Sequence, residues 1–423
     1  MARVKYPPSE TFQDQELHTA RNCQIRAQFR LAALYLPLST CFTCSEMAEE
    51  TMQAVDAPVS GDIFPARDAI RIIDEVDLNP PIEIPFIPVE ANPENVPEAE
   101  HRWLQAEISR LKVERKAFVL AHNYAPPDIQ DVADAVGDSL YLAQKGAESD
   151  ADILLEASVL FMNQILAIMK KPHQRVLAPD LGALCSLAAH ADVEKIRTWK
   201  REHTNGIVIS YVNTYLDVKA ESDYCCASAN AAKVILHVLA HSSAQQPILF
   251  LPDVYLGFYA AKLLDEQGQS LDRLWLMMGA CHVHDRIRPY HVEKQKQLHP
   301  EAAVVVHPEC GCTSACMRQM AQGQTPANMM QFRSTQGMVQ FVRETPQKVV
   351  IMATEVGNIY PLSKAAPGKT VIAANPEAIC AYMKQNTLRK VYLALRDGIY
   401  EIKVDPELAA RARIPIERML GIV

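Results

Sequence analysis

The chain has 423 residues, of which 49% are apolar and 22% are charged, so a folded protein of several domains is expected rather than a disordered one. Its 42 Lys and Arg residues against 50 Asp and Glu residues give a net charge of −8, which argues against binding to nucleic acid or to an anionic membrane. No apolar stretch reaches the roughly 18 residues that a membrane-spanning helix needs, and the N-terminus lacks the apolar core of a secretory signal. We therefore expect a cytoplasmic protein whose 11 cysteines stay reduced.

The first 100 residues differ in composition from the rest of the chain. They contain 11 of the 27 prolines and a single glycine, Gly61. The Pro- and Glu-rich run at 79–100 cannot form a regular helix or a central strand. Residues 1–100 are therefore interpreted as an N-terminal extension, partly disordered or loosely packed and dispensable for chemistry. The Cys41–Cys44 pair in this extension has no second pair nearby with which to bind a metal.

From residue 101 onwards, apolar runs of strand length alternate with helical patterns, which is typical of α/β domains with parallel sheets. The runs form three blocks of four, and the repeat of roughly 90 residues is too long for a solenoid. The first run of each block ends at His122, Tyr211 or His307. We predict three similar αβα sandwich domains with parallel sheets, at 101–188, 189–290 and 291–423, in a pseudo-threefold arrangement.

The fourth run of each block ends in a cysteine, at Cys185, Cys281 and Cys380. Ligands of open parallel sheets bind beyond the carboxyl ends of the strands, so threefold packing would bring these three thiols together. Three thiolates can hold a 4Fe-4S cluster that leaves one iron open, whereas structural zinc normally needs a fourth protein ligand. Three buried cysteines without a metal remain an alternative at this stage.

A second group of cysteines competes for the same role. It is compact and lies within the third block, at Cys310, Cys312 and Cys316. Close spacing lowers the chain entropy lost when ligands are brought together, which favours this set. It has no counterpart in the other blocks, however, so we expect the dispersed cysteines to be the metal ligands. The compact set is a candidate for a redox-sensitive disulfide.

Hydroxyl side chains follow a strand-like run and open a helical pattern in every block. They are Ser139, Ser228, and Ser334 with Thr335. We predict that these serines are N-caps, where free backbone N–H groups and the helix dipole favour anions. Three such helix ends around one centre suit a substrate that carries several carboxylates or a phosphate.

Titratable and polar side chains lie at the ends of the first strands and after the second cysteine. They are His122, Tyr124, Tyr211, Asn213, His284, His307 and Glu309. Proton transfer needs such groups within hydrogen-bond reach of a substrate. Their recurrence in all three blocks favours a function over a structural role.

These motifs together resemble the quinolinate synthase family. In chain order they are AHNY, GDSLYLA, PDLGALCSLA, YVNT with KAESDYCCASANA, LPDVYLG, GACHVH, HPEC, STQG, ATEVGNIYPL and CAYMKQNTL. The resemblance covers about two thirds of the chain. It implies three αβα domains around a 4Fe-4S cluster with three cysteine ligands and one open iron. It also implies a transferase- and dehydratase-type condensation of iminoaspartate with dihydroxyacetone phosphate to quinolinate, phosphate and water, coupled to L-aspartate oxidase in NAD biosynthesis.

The resemblance assigns roles to residues of this sequence. The cluster ligands fall on Cys185, Cys281 and Cys380. Catalytic roles fall on Tyr124, Glu309, His122, His307 and Tyr211. Substrate-binding roles fall on His122, Ser139, Tyr211, Asn213, Ser228, His284, His307, Glu309, Ser334 and Thr335.

The chain departs from the family pattern at Ala227, where a threonine is usual, and at Tyr215, where a small residue is usual. Two other functions remain open at this stage. An aconitase-like hydro-lyase would share the three-thiolate cluster but should lack the pair Tyr124 and Tyr211. A non-catalytic iron–sulfur sensor would not need acid–base groups in all three domains.

Overall fold

The computed structural model describes residues 71–73 and 96–422. Most of the predicted N-terminal extension, including the Cys41–Cys44 pair, lies outside the described residues. The strands are β1 (Arg71–Ile73), β2 (Ala117–His122), β3 (Ala135–Gly137), β4 (Ile153–Ala157), β5 (Arg175–Leu177), β6 (Ile207–Tyr211), β7 (Tyr224–Cys226), β8 (Ile248–Leu251), β9 (Leu274–Met277), β10 (Ala303–Val306), β11 (Met330–Phe332), β12 (Val349–Ala353) and β13 (Thr370–Ala373).

A helix lies between every two consecutive strands. They are α1 (Glu98–Glu114), α2 (Pro127–Val132), α3 (Ser139–Glu148), α4 (Leu160–Met169), α5 (Val193–Glu202), α6 (Leu216–Ala220), α7 (Ala231–His241), α8 (Val254–Asp265), α9 (Pro289–Leu298), α10 (Thr313–Ala321), α11 (Thr335–Glu344), α12 (Ile359–Ala365), α13 (Leu388–Asp397) and α14 (Pro406–Leu420). Short 3₁₀ turns lie at Ala188–His190, Val356–Asn358 and Met383–Gln385. Among the described residues, no helix has the length and apolar character needed to cross a membrane.

The strands form three parallel sheets, which confirms the predicted fold class. Their orders are β3-β2-β4-β5, β7-β6-β8-β9-β1 and β11-β10-β12-β13. Each predicted block of four runs is one sheet, and we call the sheets with their helices units one, two and three. In every unit the first strand lies between the second and the third. The order of the strands therefore reverses at the first strand, with the second strand on one side of it and the third and fourth on the other. That switch point is where open α/β sheets bind ligands.

Burial on both faces explains why the strands read as continuous apolar runs. In β2, Val119 and Ala121 face a core shared with α1, whereas Leu120 faces α3 and α4 on the other side. The inner cores of units one and two are continuous, since Leu120 and Phe250 belong to the same cluster of buried side chains. At roughly 25 cal/mol per Å², this apolar burial is the dominant stabilising contribution.

β1 adds a fifth strand to the sheet of unit two. It lies within the predicted extension and pairs in parallel with β9, in the register Arg71 with Trp275 and Ile73 with Met277. The edge of β9 in this sheet is therefore covered by a segment from outside the three repeats.

Two helices at the end of the chain pack on the first two units. In α13, Leu388, Val391 and Leu395 are buried against α1 and β2 of unit one. In α14, Asp405 caps the first turn, and the helix packs on α6 and β7 of unit two. The boundaries 101–188, 189–290 and 291–423 stay a prediction.

The predicted N-caps are confirmed at one serine and wrong at two. Ser334 caps α11, and its Oγ accepts a hydrogen bond of 3.2 Å from the Gly337 amide. Ser139 is instead the first residue inside α3, because the preceding Asp138 caps the helix through the Tyr141 amide. Ser228 lies three residues before α7, whose N-cap position is Asn230. Asp and Ser are comparable N-caps, so the shift by one residue to Asp138 keeps the same kind of cap.

Candidate active site

One cavity lies where the carboxyl ends of the three sheets meet. Nearly all the residues singled out from the sequence line it, and Ser334 lies just outside it at the N-cap of α11. The predicted residues in its wall are His122, Tyr124, Ser139, Cys185, Tyr211, Asn213, Ser228, Cys281, His284, His307, Glu309, Thr335 and Cys380. The fold therefore brings together side chains that are up to 258 positions apart, counted from His122 to Cys380.

Each unit contributes one cysteine to this cavity from the loop after its fourth strand. Cys185, Cys281 and Cys380 are free thiols that retain partial exposure to the cavity. They lie close enough to influence one another, because Cys185 and Cys380 both raise the pKa of Cys281 after burial, the largest cause. No fourth cysteine is found in the described wall of the cavity.

The three thiols share the same local backbone geometry. Each sulfur accepts a hydrogen bond from the amide three residues later, which belongs to Ala188, His284 or Met383. The Ala188 amide lies 3.5 Å from the Cys185 sulfur. A turn that aims an N–H group at sulfur stabilises the thiolate form, which is the form that binds metals.

Burial opposes that ionisation in the protein without a cation. It raises the pKa of Cys185 to about 12 and that of Cys380 to about 11. These thiols are consequently protonated at neutral pH unless a cation compensates the charge. A metal centre that displaces the three protons supplies such compensation.

The compact cysteines lie elsewhere. Cys310, Cys312 and Cys316 are buried in the apolar core of unit three and are absent from the cavity wall. The Cys310 thiol donates a hydrogen bond of 3.2 Å to the carbonyl oxygen of Ala353. These three cysteines pack between β10, β12 and α10 and do not face the cavity at the carboxyl ends of the strands.

Glu309 is the centre of the polar network in the cavity. The phenol of Tyr211 donates a hydrogen bond to its Oε1, and its Oε2 lies 3.2 Å from Nδ1 of His284. Burial works against ionisation of this carboxyl, but the neighbouring imidazoles of His307 and His284 and the Tyr211 phenol outweigh it and lower its pKa. Glu309 is therefore a carboxylate at neutral pH.

Tyr124 belongs to the same polar network and contacts His284 on the side away from Glu309. Its hydroxyl lies 2.5 Å from Oγ1 of Thr354 and 3.2 Å from Nε2 of His284. Burial, reinforced by the charge of Glu309, raises the pKa of both Tyr124 and Tyr211 well above its usual value. Both phenols are proton donors at neutral pH. One imidazole thus joins a phenol on one nitrogen to a carboxylate on the other.

Two histidines repeat the same geometry at the ends of first strands. Nδ1 of His122 accepts the Tyr124 amide at 3.1 Å, and Nδ1 of His307 lies 3.5 Å from the Glu309 amide. Burial first, and Lys384 second, lowers the pKa of His122 to about 3, while burial lowers that of His307 to about 4. Both rings are neutral, and their Nε2–H groups remain as donors.

Two helix N-termini meet on the opposite wall. Asp138 accepts hydrogen bonds from the amides at the start of α3, and also from Ser334 and from the Gln336 amide of α11. Thr335, the first residue of α11, accepts a hydrogen bond of 3.0 Å from the Asn123 amide group of unit one. The positive ends of two helices therefore converge on one carboxylate beside the cavity.

Sequence reasoning missed several residues of the site. Asp138, Ser186, His282 and Tyr382 also line the cavity, and Thr354 lies behind Tyr124. Asp138 stands next to Ser139 and was detectable, since Asp is as strong an N-cap as Ser. The role of Thr354 depends on a contact that spans 230 positions, which no local pattern reveals.

A smaller group within the cavity also has metal-ligand geometry. The ligand atoms of Cys281, His284 and Glu309 lie within 4.8 Å of one another. The group contains one of the three predicted cysteines. The thiol of unit two therefore lies beside the polar network that surrounds Glu309.

The sequence is similar to proteins of a known family. Residues 106–421 match the family model described as Quinolinate synthetase A protein. The quinolinate synthase of Pyrobaculum aerophilum is 44% identical over 317 residues, which cover 75% of this chain and 98% of the relative. The quinolinate synthase of Thermus thermophilus is 41% identical and covers 75% and 97%, and that of Mycobacterium tuberculosis is 40% identical and covers 77% and 90%.

The family resemblance that the sequence motifs predict is confirmed by these matches, which span all three units. The chain belongs to the Quinolinate synthetase A protein family.

Proposed function

We propose that this chain is a quinolinate synthase that condenses iminoaspartate with dihydroxyacetone phosphate to quinolinate, phosphate and water. The observation that carries the proposal is the cavity in which one thiol from each unit faces Tyr124, Tyr211 and Glu309. The similarity to relatives named quinolinate synthase over three quarters of the chain supports the same reaction.

The proposed cofactor is a 4Fe-4S cluster held by Cys185, Cys281 and Cys380. The residues fit this group because three thiols, each with an amide aimed at its sulfur, border one cavity whose described wall offers no fourth cysteine. When bound, such a cluster supplies an open iron that acts as a Lewis acid on a substrate oxygen.

The anionic groups of the substrates need donors, and the cavity offers two kinds. The first is the pair of helix N-termini at Ser139 and Thr335, where backbone amides and hydroxyls suit a carboxylate or a phosphate. The second is the set of neutral polar side chains in unit two, Asn213 and Ser228. Asp138 lies at the first position, where its side chain accepts several of the backbone amide hydrogen bonds.

Proton transfer is assigned to the Tyr124, His284 and Glu309 network. Glu309 is ionised and is the general base, while Tyr124 is protonated and is the general acid. His284 lies between them, 3.2 Å from each, and can pass a proton through its two ring nitrogens. The Nε2–H groups of His122 and His307 donate to substrate oxygens, which orients the substrate.

The supply of iminoaspartate is part of the proposal. An imine of this kind hydrolyses in water, so the reaction that makes it must be nearby in the cell. We assign that reaction to L-aspartate oxidase. All cysteines in the described part of the chain are free thiols, which suits the cytoplasm.

The experiment that tests this function is anaerobic reconstitution with iron and sulfide, followed by an assay that starts from freshly generated iminoaspartate. We expect the broad visible absorption of a cluster, and equal yields of quinolinate and phosphate from dihydroxyacetone phosphate. Phosphate retention with reversible dehydration of a hydroxy acid would identify an aconitase-like hydro-lyase. A cluster without any turnover would identify a sensor.

A further inference from the structure

A buried ion pair lies directly behind the cavity, between the third cysteine and the tyrosine of unit one. Glu355 follows β12 and is fully buried. Its Oε1 lies 2.9 Å from Nζ of Lys384, whose side chain is 21% exposed. Neither residue lines the cavity, and the proposed reaction does not use them.

Glu355 holds the backbone of the third cysteine. Its Oε1 accepts a hydrogen bond of 3.0 Å from the Cys380 amide, and its Oε2 accepts one of 2.6 Å from the Gly357 amide. Lys384 lies one turn after Cys380, and its own amide donates to the Cys380 carbonyl oxygen at 3.1 Å. The loop that presents the Cys380 sulfur is therefore fixed through its amide and its carbonyl.

Lys384 also holds the backbone of the tyrosine. Its Nζ donates a hydrogen bond of 2.5 Å to the carbonyl oxygen of Tyr124. The hydroxyl end of Tyr124 contacts Thr354, the neighbour of Glu355 in the sequence. Tyr124 is thus held at its carbonyl by Lys384, which lies after β13, and at its hydroxyl by Thr354, which follows β12, although it belongs to a different sheet.

The packing around this pair leaves no spare room. A Cβ atom added at Gly357 would lie 2.7 Å from Oε2 of Glu355 and 2.9 Å from both Nζ of Lys384 and the Tyr124 carbonyl oxygen. Those separations are well below van der Waals contact, so glycine is required for the three groups to meet. The glycine at position 357 therefore allows the ion pair and the Tyr124 carbonyl to pack together.

We propose that the Lys384–Glu355 pair is a positioning device that aligns the Cys380 sulfur with the Tyr124 hydroxyl. The inference rests on the proposed function, in which Cys380 holds the cluster and Tyr124 is the general acid. Because a single positive and a single negative charge lie beside Cys380, the pair is also electrically balanced there. Removing one member leaves the other as an uncompensated charge next to the cluster.

Substitution of either member of the pair is therefore expected to shift the reduction potential of the cluster, and the two substitutions should shift it in opposite directions. Glu355→Gln leaves the ammonium of Lys384 unpaired, which favours the reduced cluster and raises its reduction potential. Lys384→Met leaves the carboxylate unpaired and lowers the potential. The double variant restores neutrality, so its potential should return close to that of the wild type. The signs of these shifts test whether the pair lies beside the cluster, and the loss of kcat tests whether it positions the reacting groups.

The experiment uses the full-length holoenzyme, purified anaerobically, with the potential measured by redox titration. Turnover is measured alongside, and we expect both single variants to lose kcat roughly 10-fold to 10²-fold with KM changed less than about 2-fold, as expected for misplaced reacting groups. Lys364→Met is the matched control, since Lys364 also pairs across to unit one, 2.7 Å from Asp131, but is 59% exposed. That control should keep the potential and kcat of the wild type.

Several results would overturn the inference. Potential shifts of the same sign, no shift in either single variant, or an unchanged kcat in Lys384→Met would each do so. Loss of the cluster from both single variants and from the double variant, with Lys364→Met intact, would make the pair a folding element only. The spectrum and quinolinate yield of the wild type test the proposed function, whereas the signs of the two shifts test this inference alone.

Discussion

Replacing Glu309 with glutamine tests the assignment of the general base. The substitution keeps the size of the side chain and an oxygen to accept the Tyr211 hydrogen bond. It removes the negative charge that faces His284 at 3.2 Å and His307 at 3.7 Å. An amide cannot accept a proton at neutral pH, so the network keeps its shape and loses its base.

The usual contribution of a general base sets the size of the expected effect. A positioned general base contributes roughly 10²-fold to 10⁴-fold in rate, and each factor of ten equals about 1.36 kcal/mol of barrier. We therefore expect kcat of Glu309→Gln to fall by at least about 10²-fold, or roughly 3 kcal/mol. Cluster content should not fall, because Glu309 raises the pKa of Cys281 and its neutralisation makes the thiolate easier to form.

The assay is the rate of quinolinate formation at saturating substrate, together with iron and sulfide content. Glu344→Gln is the matched control, since Glu344 is an exposed glutamate of the same unit and should behave as wild type. Turnover of Glu309→Gln within about 5-fold of the wild type would refute its role as base. Loss of iron from this variant would instead point to a direct role in metal binding, as the Cys281, His284 and Glu309 group allows.

Four further predictions follow from the fold and the site. Tyr124→Phe should reduce kcat roughly 10²-fold with unchanged iron content, because only the hydroxyl that contacts His284 is lost. Cys281→Ala should abolish the visible absorption of the cluster and all activity, whereas Cys312→Ala should keep both; the reverse pattern would refute the dispersed ligand set. Burial raises the pKa of Glu156 to about 8, so its contribution to the free energy of unfolding falls as pH rises from about 4.5 towards 8. In urea unfolding over that range, the stability of Glu156→Gln relative to the wild type should therefore rise by roughly 1.4 kcal/mol per pH unit. A chain that starts at Pro97 should keep its cluster and activity but unfold at a lower temperature, because β9 loses its partner β1; loss of the cluster from a soluble truncation would show that the extension belongs to the catalytic body.

The fold was largely predictable because of how parallel sheets are buried. Most of the twelve strands of the repeats appear as short apolar runs, since both faces of each sheet are covered, although β4 contains Glu156 and β11 contains Gln331. β1 was not predictable, because a three-residue edge strand in a proline-rich segment carries no such signal. Its pairing depends on the exposed edge of β9, which is a property of the folded sheet.

The site was predictable where chemistry and repeat position coincide, as at His122, Tyr211 and Cys281. It was not predictable where a contact joins distant units. Lys384 and Thr354 have ordinary neighbours in the sequence, and only the fold brings them to Tyr124. The N-cap error at Ser139 has a simpler cause, since Asp138 and Ser139 are neighbouring acceptors of similar N-cap preference and the helix begins after Asp138.

The contact between α13 and α1 has a consequence for how the protein is made. The outer core of unit one contains Leu104, Ile108 and Leu111 from its own helix, and Leu388 and Val391 from a helix that is synthesised almost 280 residues later. A ribosome-bound chain that has produced only unit one therefore exposes an apolar surface that nothing yet covers. Domains usually fold in the order of their synthesis, but here the last part of the chain supplies a share of the outer core of the first unit. The nascent protein is consequently at greatest risk of aggregation until translation is nearly complete, and a chaperone that binds apolar helices has its natural target on α1.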